Sequence, residues 1–434
     1  MTDLETRTIR KVTWRLMPFL MLCYFVAFLD RVNVGFAHLQ MSQSLGMSEV
    51  AYGFGAGIFF IGYFLVEVPS NVLLVRFGAR VWIARIMLSW GLVSTCFGFI
   101  PQLSALTGLS ADLCFYLLRF LLGICEAGFY PGVVYYLTRW FPEIYRARAI
   151  AFFMLAVPVS SVIGAPLSGA LLNVAGLGLQ GWQWLYILEG LPSVLLSAAV
   201  WAYLTDHPRD AGWLRMEEID WLQKKISEEQ ALAGKGLHYG LLKMILDVRV
   251  LMCAFANFSM QGAAYSITLF LPALVLQLGY SNVQTGFILA FPPFIGAIGM
   301  VLLSRHSDRT GERKFHVAAT LLMLGCGIAG GALLHNPVVR LLSFTLANIG
   351  AVSLGPMLYP MPTAFLPRPA VAAGIAAISS LGALGGFAGP YLFGYVKALT
   401  GAATLSLLLM AGLALAGAAV AASLRVGKTR GAAA

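Results

Sequence analysis

The sequence is poor in charge. Asp, Glu, Lys and Arg make up only 11% of its 434 residues, whereas soluble domains usually carry roughly 25%. Hydrophobic residues make up 59%, and the mean hydropathy is +0.80. The composition therefore predicts a chain that crosses a membrane many times, with little room for a separate soluble domain. The polar opening leads into an apolar run that continues past any small-residue cleavage site, so we expect the first helix to remain as a span.

Paired cysteines, metal-ligand spacings and nucleotide-binding loops are also missing. The six cysteines stand singly in apolar stretches, with no CxxC and no His-rich spacing, and are expected to be free buried thiols. No Walker loop supports ATP-driven pumping. No nucleophile or metal constellation supports a membrane acyl- or glycosyltransferase. We therefore expect no enzyme, no cofactor, no metal and no nucleic-acid partner.

Twelve apolar stretches are long enough to cross a bilayer, which takes about 20 residues for about 30 Å of hydrocarbon. Six precede a polar linker and six follow it, near residues 16–36, 52–74, 82–100, 113–137, 149–173, 183–204, 249–276, 283–303, 316–334, 339–360, 370–396 and 402–424. The expected fold is an all-α membrane protein with two bundles. The N-terminal bundle would occupy 1–204, a cytoplasmic linker 205–248, and the C-terminal bundle 249–434.

The basic residues lie almost entirely on one side of these spans. Of the 29 Lys and Arg residues, 25 precede the first span, follow an even-numbered span or lie in the linker. By the positive-inside rule, both termini and the linker are predicted to be cytoplasmic. The placement of the basic residues behind the net charge of +10 thus indicates how the chain is oriented in the membrane.

The linker contains apolar residues at helical spacing, namely Met216, Ile219, Trp221, Leu222 and Ile226. We interpret this segment as an amphipathic helix that lies on the cytoplasmic face between the bundles. A regulatory or partner-binding helix is the alternative.

The two halves carry similar loops after their second spans. "VRFGARVWIAR" contains Gly78-Ala79-Arg80, and "SRHSDRTGERKFH" contains Gly311-Glu312-Arg313, 233 residues later. Two related six-helix bundles around a midplane site are a recurring transporter plan. "SDRTGER" is similar to the short cytoplasmic signature of the major facilitator superfamily. The first loop departs from it, because Val75 stands where the repeat has Asp308.

Four further stretches resemble the anion:cation symporter family within that superfamily: "FLDRVNVGFA", "EVPSN", "RFLLGICEAGFYPGVVYYLTRWFP" and "GWQWLYILEGLP". The resemblance covers essentially the whole chain. It implies the major facilitator fold, with twelve helices in two pseudo-symmetric bundles. Bacterial members move tartrate, phthalate, hydroxyphenylacetate, nicotinate and sugar acids with protons.

The resemblance implies a proton-coupled symporter that imports a small organic carboxylate across the bacterial inner membrane by alternating access. Polar candidates in the second half favour tartrate or a similar hydroxy or sugar acid. An aromatic acid and an efflux carrier of the same fold are the alternatives. We expect a monomer in the bilayer, with the organic anion and the proton as its partners.

Four ionisable residues lie inside first-half spans, where an unpaired charge costs about 2.5–3.5 kcal/mol on insertion scales. Asp30 and Arg31 are adjacent in span 1. Arg119 and Glu126 are seven residues apart in span 4, and therefore share a helix face on which Gly123 leaves room for a helix or a ligand. We expect Asp30 and Glu126 to carry the proton and Arg31 to bind the substrate carboxylate. Arg119 is expected chiefly to pair with Asp30 or Glu126, although the two arginines are interchangeable in sequence terms.

A guanidinium does not release its proton, so each arginine needs a carboxylate of the protein or of a substrate. Burial favours a neutral carboxyl group and a nearby arginine favours the carboxylate. A motion that changes the distance between an arginine and a nearby carboxylate would thus change the proton affinity of that carboxylate. The alternative is a static charge network between spans 1 and 4, although buried pairs commonly give little net stability.

The second half has no clear ionisable residue at mid-depth and is expected to supply shape and hydrogen bonds. Asn257, Gln261 and Tyr265 recur at i, i+4 and i+8 in span 7 and form a polar stripe. Interhelical hydrogen bonding is the alternative role for this stripe. Tyr359 in span 10 and Ser379 in span 11 complete the substrate-binding candidates.

The two similar loops hold the gating candidates, Asp308, Arg309 and Arg313 in the second half and Arg80 in the first. Contacts that exist only when the cytoplasmic side is closed favour that state by their differential free energy. Because the first loop lacks the aspartate, another acid is expected to brace it, either Glu67 or Glu143.

Other polar residues near span ends are expected to be structural. Glu67 and Glu189 lie in the family-like stretches "EVPSN" and "ILEGLP" and are expected to bond helix ends or gate loops. The six histidines are expected in loops or at span ends, outside the proton path.

Overall fold

A computed structural model describes residues 3–232 and 246–424. Across these two ranges the chain forms sixteen α-helices and no β-strand. The helices are α1 (Asp3–Leu45), α2 (Glu49–Phe77), α3 (Ala79–Phe97), α4 (Ile100–Thr107), α5 (Ala111–Glu126), α6 (Phe129–Trp140), α7 (Glu143–Met154), α8 (Ala156–Leu171), α9 (Gly181–Tyr203), α10 (Met216–Leu232), α11 (Val248–Leu276), α12 (Asn282–Thr310), α13 (Lys314–Leu333), α14 (Pro337–Leu358), α15 (Arg368–Thr400) and α16 (Ala403–Ser423).

The helices account for the predicted spans. Eleven are long and apolar enough to cross a membrane, counting α5–α6 and α7–α8 as one span each. A twelfth is reached when α3 and α4, which are bent by 84° at their junction, are taken together. Six spans precede α10 and six follow it, which confirms the all-α fold. Four of the spanning helices, α1, α2, α12 and α15, extend beyond the predicted stretches at both ends, because hydropathy detects only the part of a helix that lies in hydrocarbon.

The fourth span is broken beside a candidate proton carrier. Helix α5 ends at Glu126, and Gly128 has a φ of +93°, a left-handed conformation that glycine adopts without a Cβ clash. The Ser70 hydroxyl of "EVPSN" donates to the Ala127 carbonyl at 2.7 Å. The hydroxyl satisfies a carbonyl at the break, as non-helical backbone at membrane depth requires.

The helices pack as two bundles with three seams between them. In the first bundle α3 packs on α9 and α2 on α5, and in the second α11 packs on α15 and α13 on α14 and α16. The seams join α2 to α15, α8 to α12 and α1 to α11. The site candidates of α1 and α11 therefore lie on helices that meet at the bundle interface.

Polar contacts between the bundles lie at the end remote from Asp3. Lys397 Nζ of α15 lies 2.5 Å from Glu49 Oε1 of α2. The Tyr52 hydroxyl donates to the Leu269 carbonyl at 2.9 Å. Asn282 donates to Asn173 at 2.7 Å. We call this set of six residues the outer contact. It closes one end of the bundle interface.

The linker contains the predicted helix, α10, whose Ile219 and Leu222 are buried while Met216 is exposed. It rests on the first bundle, because Glu218 bonds to α1 and Glu229 bonds to Arg146 of α7. The remainder of the predicted linker, 233–245, and the basic residues after Leu424 lie outside the described residues.

Candidate functional site

Arg31 and Glu126 form an ion pair across the first bundle, from guanidinium Nη2 to carboxylate Oε1. The Arg31 side chain is 16% exposed and that of Glu126 only 2%. Among the described residues, Arg31 Nε and Glu126 Oε2 are buried without a hydrogen-bond partner. Each partner of the pair therefore keeps one polar atom without a hydrogen bond, and Arg31 Nε can still donate to another acceptor.

Aromatic rings surround this ion pair. The Arg31 guanidinium carbon lies 5.8 Å from the Phe28 ring centroid, 5.7 Å from Phe59 and 5.6 Å from Tyr63, within cation–π range. From the second bundle, Tyr265 packs on Phe60 with 4.5 Å between ring centroids. Arg31 therefore lies in an aromatic setting next to the bundle interface.

Asp30 faces the interior of the first bundle. Its carboxylate accepts hydrogen bonds from Trp90 Nε1 at 2.5 Å, Ser94 Oγ at 2.7 Å, Ser193 Oγ at 3.2 Å and Asn33 Nδ2 at 3.3 Å. The residue is 1% exposed, and within the described ranges it makes no ion pair. Successive helix residues point in different directions, which separates Asp30 from Arg31. The sequence search missed the indole and both serines, because α3 and α9 supply them from distant parts of the chain.

Arg119 pairs with neither Asp30 nor Glu126, contrary to our expectation. Its Nη2 donates to the Ala56 carbonyl at 2.9 Å, and its guanidinium carbon lies 5.0 Å from the Phe59 ring centroid. Its Nε and Nη1 are buried without a hydrogen-bond partner in the part of the chain that the structure describes. Seven residues of helix separate Arg119 from Glu126 by about 10.5 Å along the axis. A shared helix face therefore did not imply contact, and Arg31 takes the carboxylate instead.

The space beside Gly123 holds a helix. A Cβ at this position would collide with the backbone of Phe59 and Tyr63 in α2. Of the two occupants that the sequence allowed, a neighbouring helix is present, and the glycine brings α5 close to α2.

The polar candidates of the second bundle converge in part. Asn257 Nδ2 of α11 donates to the Ile378 carbonyl of α15 at 3.1 Å, so this residue makes the interhelical bond given above as the alternative role. Tyr359 lies near the side chains of Ser379 and Asn257. Gln261, Tyr265, Tyr359 and Ser379 are half-buried. Four of the five candidates thus remain accessible.

The second-half gating candidates bond within their own loop. Arg313 Nη2 lies 2.6 Å from Asp308 Oδ1, and the Asp308 side chain is 62% exposed. Glu312 accepts from the Phe315 backbone N–H at 2.8 Å and lies 2.9 Å from His316. Burial raises the pKa of Glu312, but these bonds outweigh it and hold the pKa below its usual range. Arg309 is exposed at the end of α12. Whether these residues gate transport stays a prediction.

The acid beside the first-half loop is neither Glu67 nor Glu143. Asp206 Oδ1 accepts from the Arg80 backbone N–H at 2.9 Å, while the Arg80 guanidinium carbon lies 5.4 Å from the Trp201 ring centroid. The sequence did not predict this partner, because Asp206 follows the sixth span and is far from Arg80 in the chain. Its position at the same membrane side as Arg80 was the available signal.

His38 does not lie in a loop or at a span end, because α1 continues to Leu45. It is 2% exposed, and its ring stacks on Tyr52 at 3.6 Å between centroids. Its Nε2 lies 3.3 Å from Glu49 Oε2, which joins it to the outer contact. Glu189 is also buried and accepts from the Ser168 hydroxyl of α8 at 2.7 Å, and its structural role stays a prediction.

Comparisons with known proteins place the chain in a family. The family model of the Major Facilitator Superfamily matches residues 20–390. The chain is 47% identical to an Agrobacterium vitis protein named "Putative tartrate transporter", over 95% of this chain and 93% of that protein. It is 39% identical to an Acinetobacter baumannii protein named "Quinolone resistance transporter", over 92% and 90%.

The solved structure of the xylose transporter XylE from E. coli, in an inward open conformation, superposes with a TM-score of 0.75. That match covers 97% of this chain and 98% of that chain at 14% identity, and it shows the fold alone. Taken with the tartrate-transporter likeness, the family match is consistent with the anion-transporting branch that the motifs resemble. The chain belongs to the major facilitator superfamily and is a membrane transporter.

Proposed function

We propose that this transporter is a proton-coupled symporter that imports a small organic carboxylate, with tartrate or a similar hydroxy acid as the first candidate. The observation that carries the proposal is the Arg31–Glu126 ion pair, in which one guanidinium binds a protein carboxylate next to the bundle interface. The A. vitis relative supports the substrate class.

Coupling follows from competition for one guanidinium. A substrate carboxylate that binds the planar fork of Arg31 takes the place of Glu126. Glu126 is then a buried acid without its cation, and burying an unpaired charge is costly. Proton uptake by Glu126 removes that cost, so substrate and proton bind together. When the substrate leaves, Arg31 returns to Glu126 and the proton is released.

Asp30 is the second proton carrier in this proposal. Hydroxyl and indole donors surround it, and it has no counterion within the described residues. Since Asp30 and Arg31 share one helical turn of α1, movement of one displaces the other. A proton on Asp30 is thereby linked to the position of Arg31.

The two bundles, within 1–204 and 249–434, are proposed to rock about this site. Asn257, Gln261, Tyr265, Tyr359 and Ser379 would complete the substrate site from the second bundle. With both termini cytoplasmic in a bacterial inner membrane, the outer contact faces the outside, and the structure is closed on that side. Asp308, Arg309, Arg313 and Arg80 would close the cytoplasmic side in the opposite state.

Efflux is the second candidate, because a relative at 39% identity is named a quinolone resistance transporter. Counterflow into proteoliposomes preloaded with tartrate separates the candidates. We expect exchange of labelled tartrate, with competition by hydroxy acids and not by phthalate, hydroxyphenylacetate, nicotinate or a quinolone. Competition by aromatic acids alone would reassign the substrate, and tartrate-independent quinolone movement would favour efflux.

A further inference from the structure

A cavity of about 370 Å³ lies between the start of α1 and the segment that leads into α10. Its lining residues are Arg7, Arg10, Lys11, Trp14, Arg215 and Glu218. Neither the ion-pair site at the bundle interface nor the gating loops include any of these residues. The cavity therefore calls for an explanation of its own.

The cavity keeps positive charge after its internal ion pairs are counted. Glu218, 1% exposed, bonds to Arg7 at 3.2 Å and to Lys11 at 3.0 Å. It also accepts from the Arg215 backbone N–H at 2.8 Å. Glu217 pairs with Arg7 at 2.5 Å on the rim. Four cationic side chains thus face two carboxylates.

Arg10 holds the least compensated of these charges. It is exposed and makes no ion pair with any residue in the described ranges. The two carboxylates are already bonded to Arg7 and Lys11. An anion that enters the cavity would therefore meet Arg10 and the Arg215 side chain. Arg215 is 69% exposed and lies 3.9 Å from the exposed Glu217 carboxylate on the rim, so the anion would displace no buried pair.

The depth of the cavity matches a phospholipid headgroup. The apolar run of α1 begins at Leu16, and Arg10 lies six residues before it, about 9 Å at 1.5 Å per residue. The headgroup layer occupies roughly the 5–8 Å beyond the hydrocarbon on each side, so the backbone of Arg10 lies at the outer edge of this layer and its long side chain can reach the phosphates. Trp14 is 72% exposed between these positions, where indole rings typically anchor at the membrane interface. A soluble anion would give no reason for an exposed indole there.

We propose that this cavity binds the headgroup phosphate of an anionic phospholipid. The Arg10 and Arg215 guanidinium groups suit the phosphate oxygens because a planar fork binds two of them at once. Trp14 packs beside the glycerol and the first acyl carbons. A choline headgroup adds a cation next to a positive cavity, so anionic lipids are preferred. The bound lipid joins α1 to the entry of α10 and thereby ties the linker to the first bundle.

The test measures thermal unfolding of the full chain in neutral detergent, with short-chain phosphatidylglycerol added. We expect a saturable rise in Tm with phosphatidylglycerol, and none with phosphatidylcholine of the same chain length or with inorganic phosphate at equal concentration. Arg10→Gln should weaken the apparent affinity about tenfold, since it removes a hydrogen bond between charged groups that the control position does not make, and such a bond contributes about 1.5 kcal/mol or more. Arg148→Gln, which removes an exposed charge outside the cavity, is the matched control.

A second measurement locates the lipid. Phosphatidylglycerol with brominated acyl chains should quench tryptophan fluorescence of the wild type more than that of Trp14→Phe, and Arg10→Gln should reduce this difference. Equal effects of Arg10→Gln and Arg148→Gln would overturn the site in favour of general surface charge. Equal Tm shifts with inorganic phosphate or phosphatidylcholine would overturn the anionic-lipid assignment.

Discussion

Asp30 and Arg31 are neighbours in the chain with different surroundings. Asp30 is enclosed by donors from α1, α3 and α9, while Arg31 reaches Glu126 and retains 16% exposure. One turn of helix thus carries an acid inside the first bundle and a base toward the interface. This arrangement would allow a substrate anion to bind Arg31 while Asp30 remains buried.

Neutral replacement of either acid should uncouple transport from protons. In Asp30→Asn or Glu126→Gln, tartrate accumulation driven by a pH gradient is expected to be lost, because the variant cannot release and rebind a proton. At least one variant should retain counterflow exchange, which needs no net proton movement. Initial rates in proteoliposomes measure both. If both variants still concentrate substrate against its gradient, neither acid carries the proton.

The two arginines should respond differently to lysine. Arg31→Lys keeps the charge but loses the planar fork, so KM should rise by about 10–100-fold, equal to about 1.5–3 kcal/mol for a charged hydrogen bond. Arg119, 1% exposed, should instead lose transport rate or protein yield with a smaller change in KM. Substrate-concentration series for both variants give the comparison. A wild-type KM in Arg31→Lys would remove Arg31 from the substrate site.

The composition of the charge cluster was predictable from sequence, whereas its pairing was not. Four ionisable residues in apolar runs stand out at once. Which acid meets which base depends on helix rotation and on partners such as Trp90 and Ser193, which no local pattern connects to Asp30. The expected pairing of Arg119 was wrong for this reason.

At the scale of elements, the outer contact links the bundles through the start of α2 and the last turn of α15. The Lys397 side chain is 9% exposed and that of Glu49 is 31% exposed. Removing one partner of a largely buried pair leaves the other uncompensated and destabilises the contact. A contact that is present in only one of two states stabilises that state and increases its population.

Glu49→Gln should therefore shift the transporter toward opening on the Lys397 side. A cysteine at Leu269, 2% exposed at the interface, should react faster with a membrane-impermeant maleimide added to that side. Arg340→Gln is the control, because Arg340 bonds to Gly331 inside one bundle. An unchanged reaction rate in Glu49→Gln, or an equal increase in Arg340→Gln, contradicts the role of this pair.

The docking of α10 on α1 should resist mild acid. Burial raises the pKa of Glu218, but the Arg215 N–H, Lys11 and Arg7 outweigh it and hold the pKa below its usual range. A lowered folded-state pKa gives stability that is complete above the unfolded value and is lost as pH falls through the folded value. The contact should therefore persist from neutral pH down to the usual carboxyl range and weaken only below it.

Spin labels at two exposed positions, Trp14→Cys and Met216→Cys, report this docking as a distance distribution. The distribution should stay narrow until pH falls below the usual carboxyl range. Glu218→Gln should broaden it at neutral pH, and Glu217→Gln, at a 56% exposed rim position, should broaden it less. A narrow distribution in Glu218→Gln would show that apolar contacts alone hold α10.

Hydropathy predicted the existence of these elements but few of their ends. The break after Glu126 depends on a left-handed Gly128 and on a hydroxyl from Ser70, fifty-seven residues earlier. The continuation of α1 past Phe36 buried His38, which the sequence had assigned to a span end. Tertiary contacts decide such ends, and they are not periodic in the chain.

In the whole molecule, charged residues lie at mid-depth in the first bundle, whereas those in the described part of the second bundle lie near helix ends and in loops. The repeated loops predicted this two-bundle plan, and the family match agrees with it. The two loops have different acidic partners. Asp308 pairs with Arg313 in the second loop, and Asp206 accepts from the Arg80 backbone N–H in the first. Symmetry in sequence thus located the loops without assigning their bonds.

The central claim is that a proton gradient drives carboxylate uptake. The most direct measurement is labelled tartrate uptake into proteoliposomes that contain the purified chain, with the outside made more acidic than the inside. Accumulation should exceed the equilibrium level, vanish when a proton ionophore removes the gradient, and vanish in Glu126→Gln. Accumulation that persists without a proton gradient, or that Glu126→Gln leaves intact, would contradict the account.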